Sequence, residues 1–89
     1  MKLGKLQLEL FNYIVSDRRI AELEQKKQQV ASRRLMAEEL DSMAISPELK
    51  EFAVIEWSRL YKEELILELE IINLKKSQTE FMLKSMLAD

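Results

Sequence analysis

The chain has 89 residues, of which 34% are charged, with a formal net charge of -2, one glycine, one proline and neither cysteine nor histidine. A length of this order holds one core and no second domain, and a core so small commonly needs disulfides, a metal or a second copy for adequate stability. With cysteine and histidine missing, a disulfide framework, thiolate catalysis, the commonest metal ligand and the commonest neutral-pH base are excluded, so self-association is the expected route.

A single glycine (Gly4) and a single proline (Pro47) leave no material for the turns of a β-protein, and the intervening residues are mostly Leu, Glu, Lys, Gln, Arg, Ala and Met. The first element is therefore a helix over about residues 5–40. Its beginning is densely apolar: Leu3, Leu6, Leu10, Phe11, Ile14 and Val15. From Ser16 to Arg34 the only apolar residues are Ile20, Ala21, Leu23, Val30 and Ala31, so this stretch cannot bury a second helix alone. A cap-type pair, Ser16 and Asp17, offers a place where the helix could break. Residues 5–10 also alternate apolar and polar, as do residues 67–71, which is the strand period; glutamate content and the absence of flanking turns favour helix at both places.

Three basic doublets punctuate this helix: Arg18 with Arg19, Lys26 with Lys27, and Arg33 with Arg34. They make a stripe about 22 Å long at 1.5 Å per residue. Such a stripe suits a phosphate backbone or an acidic partner. The competing account is ion pairing, with Glu22, Glu24, Glu38 and Glu39 on the same helix and Glu56, Glu63, Glu64 and Glu70 across the hairpin, and it is the one we favour. No aromatic residue interleaves with the doublets, so a stacking platform for single-stranded nucleic acid is missing.

Residues 41–46 form the turn. Ser46 is an N-cap, Pro47 fits the first helical position, where its missing N–H is not needed, and Glu48 and Glu51 favour the positive end of the helix dipole. The second helix spans about residues 47–87. Along it Ala53, Trp57, Leu60, Leu67, Ile71, Leu74 and Phe81 advance in steps of four and three, with Glu64 and Gln78 in the two polar gaps. This is a coiled-coil seam, and Trp57, Leu60, Leu67, Ile71, Leu74 and Phe81 are its expected self-association residues. A second apolar line runs beside it through Val54, Tyr61, Leu65, Ile72, Met82 and Met86. The apolar surface is thus wider than one neighbouring helix can cover.

With the turn centred near Ile45, antiparallel pairing sets Lys27 beside Glu64, Ile20 beside Ile71, Val30 beside Tyr61 and Arg34 beside Trp57. An ion pair between Lys27 and Glu64 would then account for a carboxylate on the seam. Phe81, Met82, Leu83, Met86 and Leu87 read either as an adaptable partner groove, with Met82 and Met86 its flexible members, or as core packed on Leu3, Leu6 and Leu10. Trp57 and Tyr61, one turn apart, either anchor a partner or fill the bundle near its turn. The glutamate doublets on surface helices lack the cleft that acid-base catalysis needs.

The fold class expected is all-α: one domain, a two-helix antiparallel hairpin dimerising into a four-helix bundle. No catalytic, metal-binding or cofactor-binding residues are expected, and no apolar run reaches membrane-spanning length. The chain reads as a cytoplasmic, homodimeric module that binds a protein partner, as an adaptor, a chaperone or an accessory factor does. A nucleic-acid-associated regulator using Arg18, Arg19, Lys26, Lys27, Arg33 and Arg34 is the second reading.

Overall fold

The computed structural model describes residues 4–87, which form helix α1 (Lys5–Met43), a three-residue connection and helix α2 (Pro47–Leu87). Among the described residues there is no strand, and residues 5–10 and 67–71 are helical. Ser16 and Asp17 do not interrupt α1. A cap residue competes with the helix only where tertiary packing is absent, and here the seam continues through both neighbouring turns. The helix also runs three residues beyond Leu40, because Asp41 and Ser42 complete its last turn: the Ser42 hydroxyl donates to the Glu38 carbonyl at 3.0 Å and the Ala44 N–H to the Asp41 carbonyl at 3.4 Å.

The start of each helix is satisfied locally. The Gly4 N–H donates to the Gln7 side-chain oxygen at 2.7 Å, and the Leu49 N–H donates to the Ser46 hydroxyl at 3.2 Å. Ser46 is thus the N-cap of α2, with Pro47 at its first position. Ala44 leaves α1 in an extended conformation, so the reversal needs no left-handed residue.

Between the rods the core is a single row of side chains. Ile20, Leu23 and Val30 of α1 pack with Leu60, Leu67 and Ile71 of α2, and Leu74 closes one end of the cluster. Ala37 and Ala53 are buried nearer the turn. With the half-buried positions included, the α1 seam runs Tyr13, Ser16, Ile20, Leu23, Lys27, Val30, Arg34, Ala37 and Asp41, in alternating steps of three and four. The α2 seam is the one expected from its sequence. Its residues face α1 of the same chain, so Trp57, Leu60, Leu67, Ile71, Leu74 and Phe81 make the intrachain contact and leave a different surface for any second copy.

The pairing register differs from expectation by about one turn at its charged positions. Lys27 pairs with Glu68, whereas Glu64 receives Arg34 at 2.7 Å. The cause is the tilt of side chains toward the N-terminus of their own helix. In an antiparallel pair this carries α1 side chains away from the turn and α2 side chains toward it, so Lys27 and Arg34, on the seam, meet residues further from the turn on α2, whereas Arg19, beside the seam, meets Glu70. Short seam side chains feel this less, and Ile20 and Ile71 share one cluster as expected.

The open end of the hairpin is not core. Leu6 and Leu10 are 63% and 49% exposed, Met86 and Leu87 are 74% and 83% exposed, and Leu3 lies outside the described residues. Tyr13 and Phe81 pack across this end with ring centroids 5.6 Å apart, and the Gln78 side-chain amide donates to the Tyr13 carbonyl at 3.4 Å. The helices are long rather than mutually wrapped: the radius of gyration is 19.9 Å and the extents are 66 × 25 × 13 Å. A compact domain of this length has a radius of gyration of about 12 Å.

Candidate functional site

Each seam residue is flanked by neighbours that fall on one broad side of the hairpin or the other. On α1, Asn12, Arg19, Lys26 and Arg33 precede Tyr13, Ile20, Lys27 and Arg34; on α2, Glu56, Glu63, Glu70 and Ser77 precede Trp57, Glu64, Ile71 and Gln78. Antiparallel pairing brings these two sets onto the same side. Arg19 meets Glu70 there at 3.3 Å. Moving one and two heptads along brings Lys26 to the level of Glu63 and Arg33 to that of Glu56. In the structure those two carboxylates are held by Arg59, at 3.8 Å from Glu63 and 2.9 Å from Glu56. The hydrogen bond from Arg59 holds the Glu56 carboxyl below its usual pKa, and the same bond raises Arg59. This side is a charged ladder, basic on α1 and acidic on α2.

Half of the basic-doublet residues are taken up by α2. Lys27 and Arg34 sit on the seam and bind Glu68 and Glu64, and Arg19 binds Glu70. Lys26, Arg33 and Arg18 are exposed. Arg34 is the most elaborated: it binds Glu64 at 2.7 Å and Glu38 at 3.2 Å, and its guanidinium carbon lies 5.9 Å from the Trp57 ring centroid. Trp57 and Tyr61 stack with centroids 5.0 Å apart, and the indole N–H donates to Glu38 at 2.9 Å. The hydrogen bond to the Glu64 carboxylate raises the Arg34 pKa still further above its ordinary value. Arg34 beside Trp57 was expected from the sequence; the rest of this polar layer was not. Trp57 is half-buried within it, which leaves Tyr61 as the more exposed of the two rings.

The opposite broad side is built from residues that follow seam positions or lie a half-turn further out. On α1 this line includes Leu10, Ile14, Ala21, Ala31 and Leu35; on α2 it includes Val54, Tyr61, Leu65, Ile72 and Met82. Leu10, Ile14 and Leu35 are 48–53% exposed, and Val54, Leu65, Ile72 and Met82 are 51–53% exposed. Only two ion pairs cross the seam on this side, Lys75 with Glu24 at 3.1 Å and Lys27 with Glu68. Two shallow grooves open on it. One, of about 330 Å³, is walled by Glu24, Lys27, Glu68 and Lys75 around Ala31 and Ile71; the second, of about 370 Å³, is lined by Ala37, Ala53, Val54 and Trp57 with Glu38 and Asp41 at its polar edge. The second lies where the small Ala37 and Ala53 sit beside the large Trp57.

A third apolar strip occupies the outer surface of α2, farthest from α1, with Ile55, Ile66 and Leu69 exposed by 57–61%. Phe11 and Met36 hold comparable outward places on α1. The Tyr13 hydroxyl lies 3.9 Å from the Met82 sulfur, and Met86 is largely exposed. Among the described residues, no cluster of His, Cys, Asp or Glu is placed to hold a metal ion, and no helix is long and apolar enough to cross a membrane.

No protein-family model matches the chain, and no curated protein or solved structure is significantly similar to it.

Proposed function

We propose that the chain is a homo-oligomeric helical interaction module, which pairs with a copy of itself and binds a protein partner through the apolar helix surface that remains. The observation that carries this reading is the amount of surface left uncovered. The 10.5 kDa chain exposes 7419 Å². A compact monomer of that mass exposes about 5,400 Å² on the usual area–mass relation. The excess of about 2,000 Å² is more than twice the ~800 Å² that one partner contributes to a standard interface. It is rich in leucine, isoleucine, valine, phenylalanine and methionine on both sides of α2, where isolated monomers do not keep large contiguous apolar patches.

The ion-pair pattern supports protein recognition over nucleic-acid recognition. A phosphate-binding stripe needs cations that are free to meet the backbone, and in three of the six doublet residues, one from each doublet, the charge is engaged by a carboxylate of α2: Arg19 by Glu70, Lys27 by Glu68 and Arg34 by Glu64. The mode of partner binding that fits is helix-in-groove recognition, with Ile66 and Leu69 as apolar anchors and charged neighbours such as Lys62 and Lys76 around them.

Thermal melts recorded over a hundredfold range of protein concentration test this reading. An oligomer melts at higher temperature as concentration rises, because association is linked to folding. A melting temperature independent of concentration contradicts it.

A further inference from the structure

Resting on that reading, the geometry points to one particular assembly: a second copy of the chain laid on the side carrying Tyr61, Leu65 and Ile72, with both turns at the same end of the bundle. Two independent features select the side. The opposite side carries Arg19, Lys26, Arg33, Glu56, Arg59, Glu63 and Glu70, which burial would strip of water at a cost that exposed ion pairs do not return. The Leu65 side carries fewer charges: its apolar residues, among them Val54, Leu65 and Ile72 on α2 and Ile14 and Leu35 on α1, are interrupted by Glu24, Glu68 and Lys75, and its two grooves offer concave places for a neighbour's side chains.

Orientation follows from size and charge. Two hairpins placed face to face are related by a two-fold axis that runs either along the rods or across them. An axis along the rods lays α2 of one copy over α1 of the other at the same level. Leu65 then faces the groove at Ala31, and Ile72 faces the Ala21 region, so large meets small. The same arrangement brings Lys75 of one copy to the level of Glu24 of the other.

An axis across the rods would instead lay each helix over its own copy, reversed. The stretch of α1 that carries Ala21, Glu24, Gln28 and Ala31 would then meet its own copy, and so would the stretch of α2 that carries Tyr61, Leu65 and Ile72, which crowds large side chains against one another in the second place. Glu24 and Glu68 stand near the midpoints of their helices and would meet their own copies, placing like charges together. The surface available is sufficient, since the excess described above exceeds one partner's share of a stable interface.

The test combines face-specific substitutions with one distance. The double variant Leu65→Asp/Ile72→Asp should raise the self-association constant's dissociation midpoint at least about a hundredfold, since each aspartate would be buried unpaired. The control Leu69→Asp, on the outer strip, should leave it unchanged. Far-UV circular dichroism confirms that each variant remains helical. Independently, the cysteine-free chain accepts a single nitroxide through Ile45→Cys, at a turn position that is 98% exposed. Electron–electron dipolar spectroscopy should then read a turn-to-turn distance on the order of 20–30 Å, set by helices packed 8–10 Å apart. A distance near the 66 Å length of the rod overturns the same-end geometry. Dissociation by Leu69→Asp, with the double variant still associated, overturns the choice of face while the oligomeric reading survives. A wild-type chain that never associates removes both.

Discussion

Leu23 offers the sharpest test of the seam. It is 2% exposed and, among the described residues, is the one large side chain fully enclosed by the two helices. Leu23→Ala removes three carbons, worth about 2.4 kcal/mol at ~0.8 kcal/mol each. A residual cavity adds to this, and the measured range for such substitutions is about 2–5 kcal/mol. With only two helices around the site, the walls relax well, so we expect about 2.5–3.5 kcal/mol, toward the low end of that range. A chain of this length has a total stability of roughly 4–13 kcal/mol. Each kcal/mol moves the melting temperature of a small domain by about 4–8 °C, so the variant should melt roughly 10–25 °C below wild type. The assay is thermal unfolding followed by far-UV circular dichroism at one fixed protein concentration, because association shifts the midpoint. Leu69→Ala, at 60% exposure on the outer strip, is the companion measurement and should cost under about 1 kcal/mol. Equal losses from the two variants would refute the assignment of Leu23 to the core.

Three further predictions concern the polar layers and the cap. Arg34→Met or Glu64→Leu alone should lower the melting temperature more than the double variant does, since each single change strands one charge on the seam; singles milder than the double would contradict this. Glu56→Gln should cost stability near neutral pH, and the difference from wild type should vanish as the pH falls below the ordinary glutamate range. The sign follows from the lowered folded-state pKa of Glu56: its contribution is complete above the unfolded value and is lost as the pH drops through the folded one. A gap that widens in acid would reverse the assignment. Ser46→Ala should lose about 1 kcal/mol through the missing N-cap bond to Leu49, detectable as a fall of a few degrees in the same melts, whereas an unchanged midpoint would show that Pro47 suffices to start α2.

Much of this architecture was legible in the sequence. The scarcity of glycine and proline, together with Ser46-Pro47, placed the turn, and the four-three spacing from Ala53 to Phe81 showed which side of α2 faces a neighbour. The α1 seam was harder to read because Ser16, Lys27, Arg34 and Asp41 occupy positions that a hydrophobicity pattern skips. The signal that would have found it is spacing alone: these residues complete the steps of three and four set by Ile20, Leu23, Val30 and Ala37. The missed charge register has a separate origin, since helix positions were paired by level while long side chains lean toward their own N-termini.

Of the two readings of the apolar open end, core packing fails for a related reason. Density of leucine and phenylalanine says how much apolar surface exists, not which way it points, and Phe11 and Val15 lie on the side of α1 away from α2. The basic doublets show the converse. Read along one helix they form a stripe of cations; read across the hairpin, two of them meet carboxylates from within the seam and a third, Arg19, meets Glu70 beside it. Ser16 Oγ and Asp41 Oδ1 are enclosed without a hydrogen-bond partner in the chain, which weakens both ends of the seam relative to its centre.

Sedimentation equilibrium over the micromolar range addresses directly whether this hairpin stands alone. The account predicts a species of twice 10.5 kDa that gives way to the single chain only on dilution. A single 10.5 kDa species at every concentration would show that the long apolar side of the rod needs no second copy.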